Sequence, residues 1–174
     1  MPPAATHLVR HLTAHYRWAM IVPVDRHPER ALDRIIAFSD AVVAIAMTLL
    51  VLPLTELNPS DYDDDVARLL SDNSSELTAF VVSFFVIALF WSSHHRIFDR
   101  LVAIDGRLLR LNILWLFTIV VLPFPTSLVQ TGGTQTSAIF YLGALFVTAI
   151  MTRLLASYVT GHPELCDGPE DEAS

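Results

Sequence analysis

Between Asp40 and Glu56 the chain carries no charged residue. The apolar run filling that gap reaches back to Leu32 and forward to Leu54: LDRIIAFSDAVVAIAMTLLVLPL. As a helix it is long enough to cross a hydrocarbon core of ~30 Å, and Pro53 stands at its far end, where a helix can stop. Arg34, Ser39 and Asp40 are set into its first two turns. An ionisable group this close to a membrane-length apolar run is unfavourable and by default marks a functional site.

Three further apolar blocks follow, Leu77 to Trp91, Leu108 to Leu122 and Ser137 to Tyr158. Of the 174 residues only 17% are charged, against about 25% in soluble domains. The fold class is therefore an all-α, polytopic helical membrane protein. Its transmembrane domain covers 32–158, with helices over about 32–54, 77–95, 108–129 and 137–158, a leader over 1–31 and an acidic tail over 159–174. Pro123 and Pro125 are expected to end or kink the third helix. A lone cysteine, Cys166, excludes a disulfide framework and any multi-cysteine metal site.

Orientation follows from the arginines. The leader and the link holding Arg96, Arg100, Arg107 and Arg110 are Arg-rich, whereas the other two links hold only Arg68. The positive-inside rule then puts both termini in the cytoplasm, and Arg153 near the end of the fourth helix can snorkel to the same side. In the leader, the apolar patch Trp18 to Val24 is too short for a signal peptide and is interrupted by Pro23. A helix would align His7, His11 and His15, but no carboxylate or cysteine accompanies them, and no metal site is assigned. No nucleotide-binding glycine loop or nucleic-acid patch is present beyond what topology explains.

With ~1.5 Å rise per residue, Asp40, Trp91, His94, His95, Asn112 and Trp115 all reach one level near the arginine-rich side. Arg34, Ser39, Asp40, Trp91, Asn112 and one of the two histidines are expected to satisfy each other there. Such a layer can be a structural clamp across three helices or a point of contact with substrate, and the clamp is the reading these residues favour. Adjacent histidines face different sides of a helix, so only one of His94 and His95 is expected to join it. Beyond Asp40, Ile45, Leu49 and Leu52 recur at spacings of four and three on one apolar face. Periodicity alone reads that face as helix packing or lipid contact, and Thr48 as an ordinary back-bonded hydroxyl.

The signature Arg34-Ile-Ile-Ala-Phe38-Ser39-Asp40 resembles the first helix of the transmembrane protein 175 family of potassium channels. The likeness continues through Phe90-Trp91-Ser-Ser-His94-His95-Arg96, Leu111-Asn112 and Pro123-Phe124-Pro125-Thr126. Where the family often has Gly-Val-Phe after the Asp, this chain has Ala41, Val42 and Val43. The resemblance implies a homotetrameric cation channel of the cell membrane, conducting potassium ions without a bound cofactor. It implies a pore lined by the first helix, with its constriction at Ile45, Leu49 and Leu52 and with Thr48 contributing to selectivity. It also implies a buried network of the Phe38-Ser39-Asp40 segment with the second-helix His and Asn112, which agrees with the clamp read from helix depth; together with Arg34, Trp91, His94 and His95 these residues make up the expected structural polar network. Six helices per repeat are implied and four are legible, so a shortened member is expected.

Two functions are carried forward, a potassium-selective or weakly selective channel and a non-conducting membrane scaffold or regulator that retains the channel fold. A proton-coupled transporter using Asp40 and a histidine lacks the paired broken helices such a mechanism uses. An enzyme is not expected, because no nucleophile–base or metal-ligand spacing appears.

Overall fold

The computed structural model describes residues 28–62 and 65–166. The leader histidines, the Trp18–Val24 patch, Asp63, Asp64 and the acidic residues after Cys166 lie outside the described residues. The elements are α1 (Pro28–Leu49), α2 (Leu52–Thr55), α3 (Val66–Asp72), α4 (Ser74–Phe98), α5 (Gly106–Val121), α6 (Pro123–Gly132) and α7 (Gln135–Thr160). Two single 3-10 turns, Pro59–Tyr62 and Pro163–Leu165, complete them. Among the described residues, four stretches are long and apolar enough to span a bilayer: Arg30–Thr55, Ser74–Phe98, Gly106–Gly132 and Gln135–Thr160.

Local chemistry fixes where these helices begin. Asp105 caps α5 by accepting the Leu108 N–H at 2.7 Å, and Thr134 caps α7 by accepting the Ser137 N–H at 3.2 Å. Each cap satisfies a donor that the first helical turn would leave open. Gly133 ends α6 at φ 46°, a left-handed conformation that glycine adopts without a Cβ penalty.

Two spans are broken rather than ended by proline. Pro123 has no N–H for the carbonyl of Ile119, and the Leu122 N–H takes that carbonyl at 3.1 Å, after which the chain resumes as α6. Pro53 likewise has no N–H for the carbonyl of Leu49. The first helix breaks at Leu50 and Val51, the Val51 N–H turns to the Thr48 carbonyl at 3.3 Å, and α2 restarts at Leu52. The expected stop at Pro53 is thus a break followed by one more turn, because only the proline's own hydrogen bond and the clash behind it are lost.

α1 packs on α4, α5 and α6, and α7 packs on α4, α5 and α6. Trp115, Phe98, Ile87, Leu108, Ile119 and Leu155 are buried where they meet. The segment after α7 folds back onto the α4–α5 link, where the Leu165 carbonyl accepts the N–H groups of Val102 and Ala103 at 2.8 and 3.3 Å. Beside that join, Tyr158 donates to Asp105 Oδ2 at 2.6 Å, Arg107 lies 5.4 Å from the Tyr158 ring centroid, and His162 stacks on the same ring at 4.1 Å.

Burial disfavours the Asp105 charge. Hydrogen bonds from Tyr158, Leu108 and Arg107, with the nearby His162, outweigh that and hold the carboxyl below its ordinary value of 3.8. A carboxyl depressed in the folded state contributes stability above its unfolded value, and that contribution is lost as pH falls through the folded value. Asp105→Ala should lower thermal stability in detergent at neutral pH, with the lost cap alone costing about 1 kcal/mol. The gap between wild type and variant should narrow as pH falls below 3.8, and melting curves across that range check it.

Candidate functional site

Asn112, in the second turn of α5 and almost fully buried, joins three helices. Its Nδ2 donates to Ser39 Oγ of α1 at 3.0 Å, and its Oδ1 lies 2.7 Å from His94 Nε2 of α4. Because the amide oxygen can only accept, His94 carries its proton on Nε2. Ser39 passes its own proton to the Ile35 carbonyl at 2.8 Å, so donors and acceptors run in one direction from α4 to the backbone of α1. The His94 ring is sandwiched between Phe98, at 4.2 Å, and Trp115, at 4.1 Å. Trp115 Nε1 in turn donates to Thr152 Oγ1 of α7 at 2.9 Å, which brings the fourth span into the same layer.

Asp40 takes a separate route. It accepts from Trp91 Nε1 at 2.8 Å, Trp91 stacks on His95 at 5.3 Å, and His95 Nε2 lies 3.5 Å from Asp99. The single layer expected from helix depths is therefore two arms that leave α1 from neighbouring residues, Ser39 and Asp40, toward different faces of α4. His94 belongs to the buried arm and His95 to the half-buried one. Phe38 is 59% exposed and Arg34 is also exposed, and both stand outside the hydrogen bonds of these two arms.

Past this layer α1 has two unlike faces. Val43, Ala46 and Leu50 are buried against the bundle, and the small Ala46 lets the helices approach closely. On the opposite side Ile45 is 60% exposed, Leu49 41% and Leu52 55%, with Thr48 exposed between them. Thr48 Oγ1 donates to the Ile45 carbonyl at 2.8 Å, leaving its lone pairs on that face. Leu52 lies beyond the break at Leu50 and Val51, so its place in the stripe depends on α2 rather than on uninterrupted helical phase.

A second polar node lies in the other half of the bundle. Thr126 Oγ1 is 3.1 Å from Ser83 Oγ, which is 3.0 Å from the Tyr141 hydroxyl, so α4, α6 and α7 meet there. Sequence reasoning did not single out Ser83, Tyr141, Thr152 or the Asp105–Tyr158 pair. A hydroxyl that crosses to a neighbouring helix has the same sequence context as one that bonds back to its own turn.

A family model described as "Endosomal/lysosomal potassium channel TMEM175" matches residues 34–123. A protein of Streptomyces collinus named as a potassium channel is 32% identical over 123 residues, which cover 71% of this chain and 59% of that protein. The human endosomal/lysosomal proton channel TMEM175 is 29% identical over 137 residues, covering 76% of this chain and 27% of the human one. The crystal structure of a lysosomal potassium-selective channel TMEM175 homolog from Chamaesiphon minutus superposes with a TM-score of 0.68 at 30% identity. That match covers 77% of this chain and 75% of the other. The chain thus spans about three-fifths of the Streptomyces relative and about a quarter of the human one.

The two arms make distinct energetic predictions. Asn112→Ala should destabilise the protein in detergent by about 1–3 kcal/mol, because His94 and Ser39 lose a partner in a buried setting. In double-mutant cycles read by thermal melting, Asn112→Ala and Ser39→Ala should couple by about 0.5–2 kcal/mol. Asn112→Ala and Trp91→Phe should add within about 0.5 kcal/mol, as groups without a shared partner do.

Proposed function

This chain belongs to the TMEM175 channel family, and from that premise we propose that it forms a potassium-permeable cation channel in which several copies, four in the simplest closed arrangement, surround an axis lined by α1. The observation that carries the proposal is the two-faced character of α1. One face is tied to α4 and α5 through Ser39 and Asp40, and the other presents Ile45, Thr48, Leu49 and Leu52, which stand exposed among the described residues. One such helix per chain cannot enclose a pore, so conduction requires several chains around an axis. Ile45, Leu49 and Leu52 then form an apolar constriction that opposes ion passage by dewetting, and the Thr48 oxygen offers a polar step within it. The polar arms act as structure: they hold the lining helix in its rotation and do not themselves meet the ion.

Potassium is the preferred ion on the names of the bacterial relatives, whereas the vertebrate relatives are named proton channels. We assign both termini to the cytoplasm and the protein to the cell membrane, on the arginine distribution and the bacterial kinship.

Purified full-length protein in liposomes should pass potassium, measured beside proton flux in the same vesicles. Ile45→Asn should raise the flux several-fold and erode discrimination against sodium, because a hydrated constriction no longer excludes water. An intact oligomer with no potassium flux would replace this reading with that of a non-conducting scaffold. Proton flux without potassium flux would reassign the ion.

A further inference from the structure

Three arginines line one cleft at the end of the bundle where α4 terminates. Arg96 near the end of α4, Arg100 just past it and Arg153 of α7 all line a cavity of about 360 Å³. Its floor is apolar, formed by Ile97, Ala156 and Val159. Ser93, Thr152 and Thr160 stand around it, but their hydroxyls already donate to the carbonyls of Leu89, Thr148 and Ala156. The donors left to face an occupant are therefore guanidinium N–H groups. Arg96 commits only its Nε, to the Ser92 carbonyl at 3.1 Å.

No carboxylate among the described residues pairs with any of the three. Asp99, which stands between Arg96 and Arg100 in sequence, is directed instead at His95, 3.5 Å away. Cations near a helix C-terminus are favoured by its dipole, which accounts for Arg96 and Arg100 singly. Snorkelling accounts for Arg153 singly in the same way; what neither accounts for is that all three line one small cavity, where like charges repel unless an anion joins them.

We propose that this cleft binds a phosphate-bearing anion, the chemistry shared by an acidic phospholipid headgroup and free phosphate. Guanidinium groups match phosphate oxygens in paired hydrogen bonds, and the cavity lies within the range of small-ligand pockets, about 300–1,000 Å³. Its position at the ends of two spans is where headgroups lie, and basic pockets between membrane helices hold acidic headgroups elsewhere. The bound anion would sit behind the His94 arm, because Thr152 lines the cleft and also accepts from Trp115, which stacks on His94. The proposal does not depend on whether the protein conducts.

Native mass spectrometry of the full-length protein in detergent, with phosphatidylglycerol or phosphatidylcholine added at equal ratio, tests it. Phosphatidylglycerol should be retained at least about tenfold better, and Arg96→Gln/Arg100→Gln/Arg153→Gln should abolish the preference. Arg100→Gln alone should weaken binding several-fold. Arg110→Gln, which removes one exposed charge of α5 at the same end but outside the cleft, should leave binding within about twofold. These side chains are exposed, so size-exclusion profile and helical circular dichroism should be unchanged, and the single variants carry the test if the triple variant misfolds. Millimolar inorganic phosphate that displaces the lipid, or raises the melting temperature of wild type but not of the triple variant, identifies free phosphate as an occupant. Lipid binding that resists phosphate identifies the headgroup. Equal losses in Arg100→Gln and Arg110→Gln, or no preference for the acidic lipid together with no phosphate effect, would overturn the site.

Discussion

The carboxamide of Asn112 holds the arrangement together, because a group that must both donate and accept has been placed where water cannot serve it. Its oxygen accepts a hydrogen bond from His94 and its nitrogen donates one to Ser39, whose hydroxyl donates to the Ile35 carbonyl. Every step has one allowed direction, so α4, α5 and α1 can satisfy it in only one relative rotation. The stacking of His94 between Phe98 and Trp115 fixes the ring plane from which the sequence starts. Individually, hydrogen bonds between membrane helices contribute about 0.6–2 kcal/mol. Their larger consequence is geometric, since setting the rotation of α1 also decides which residues it turns away from the bundle.

That second face follows without further instruction. With Ser39, Val43, Ala46 and Leu50 turned inward, the helical period puts Phe38, Ile45, Thr48 and Leu49 outward. An apolar stripe of this kind has two physical outcomes, lipid or a facing copy of itself. The threonine hydroxyl in its middle is satisfied in lipid by its bond to the Ile45 carbonyl, and beside a hydrated ion its oxygen would still have lone pairs to offer. Kinship to channels is consistent with a facing copy, and the geometry of the helix says which residues such a copy would meet.

Much of this was legible in the sequence because its signals are one-dimensional. Four apolar blocks and few charges dictate four helical spans, since in lipid each backbone polar group must be satisfied within its own helix. Counting rise per residue brings Ser39, Asp40, Trp91, His94 and Asn112 to one depth. Depth is not direction, however. Whether two polar residues on one level meet depends on the rotation of each helix, and so one expected layer resolved into separate Ser39 and Asp40 arms, with Phe38 turned outward and His95 stacked on Trp91. Thr152, Ser83, Tyr141 and the Asp105–Tyr158 pair escaped for a related reason. Their partners lie on other helices, and a hydroxyl in an apolar run carries no mark of whether it bonds backward or across.

The prolines add a constraint of their own. Pro53 and Pro123 each interrupt a span, and the pieces they start, α2 and α6, pack against each other. The proposed constriction therefore straddles two supports. Ile45, Thr48 and Leu49 belong to the helix whose rotation the Asn112 bridge and the Trp91–Asp40 bond set from the arginine-rich end. Leu52 belongs to a short turn held by α6, and α6 is held through Thr126 to Ser83 and Tyr141 in the other half of the bundle. A straight helix would transmit any change at the clamp near the arginine-rich end to all four positions together. A broken one lets the positions of Leu52 and Ile45 be set by different polar contacts, so the second node, which no depth count revealed, bears on the proposed constriction as directly as the first.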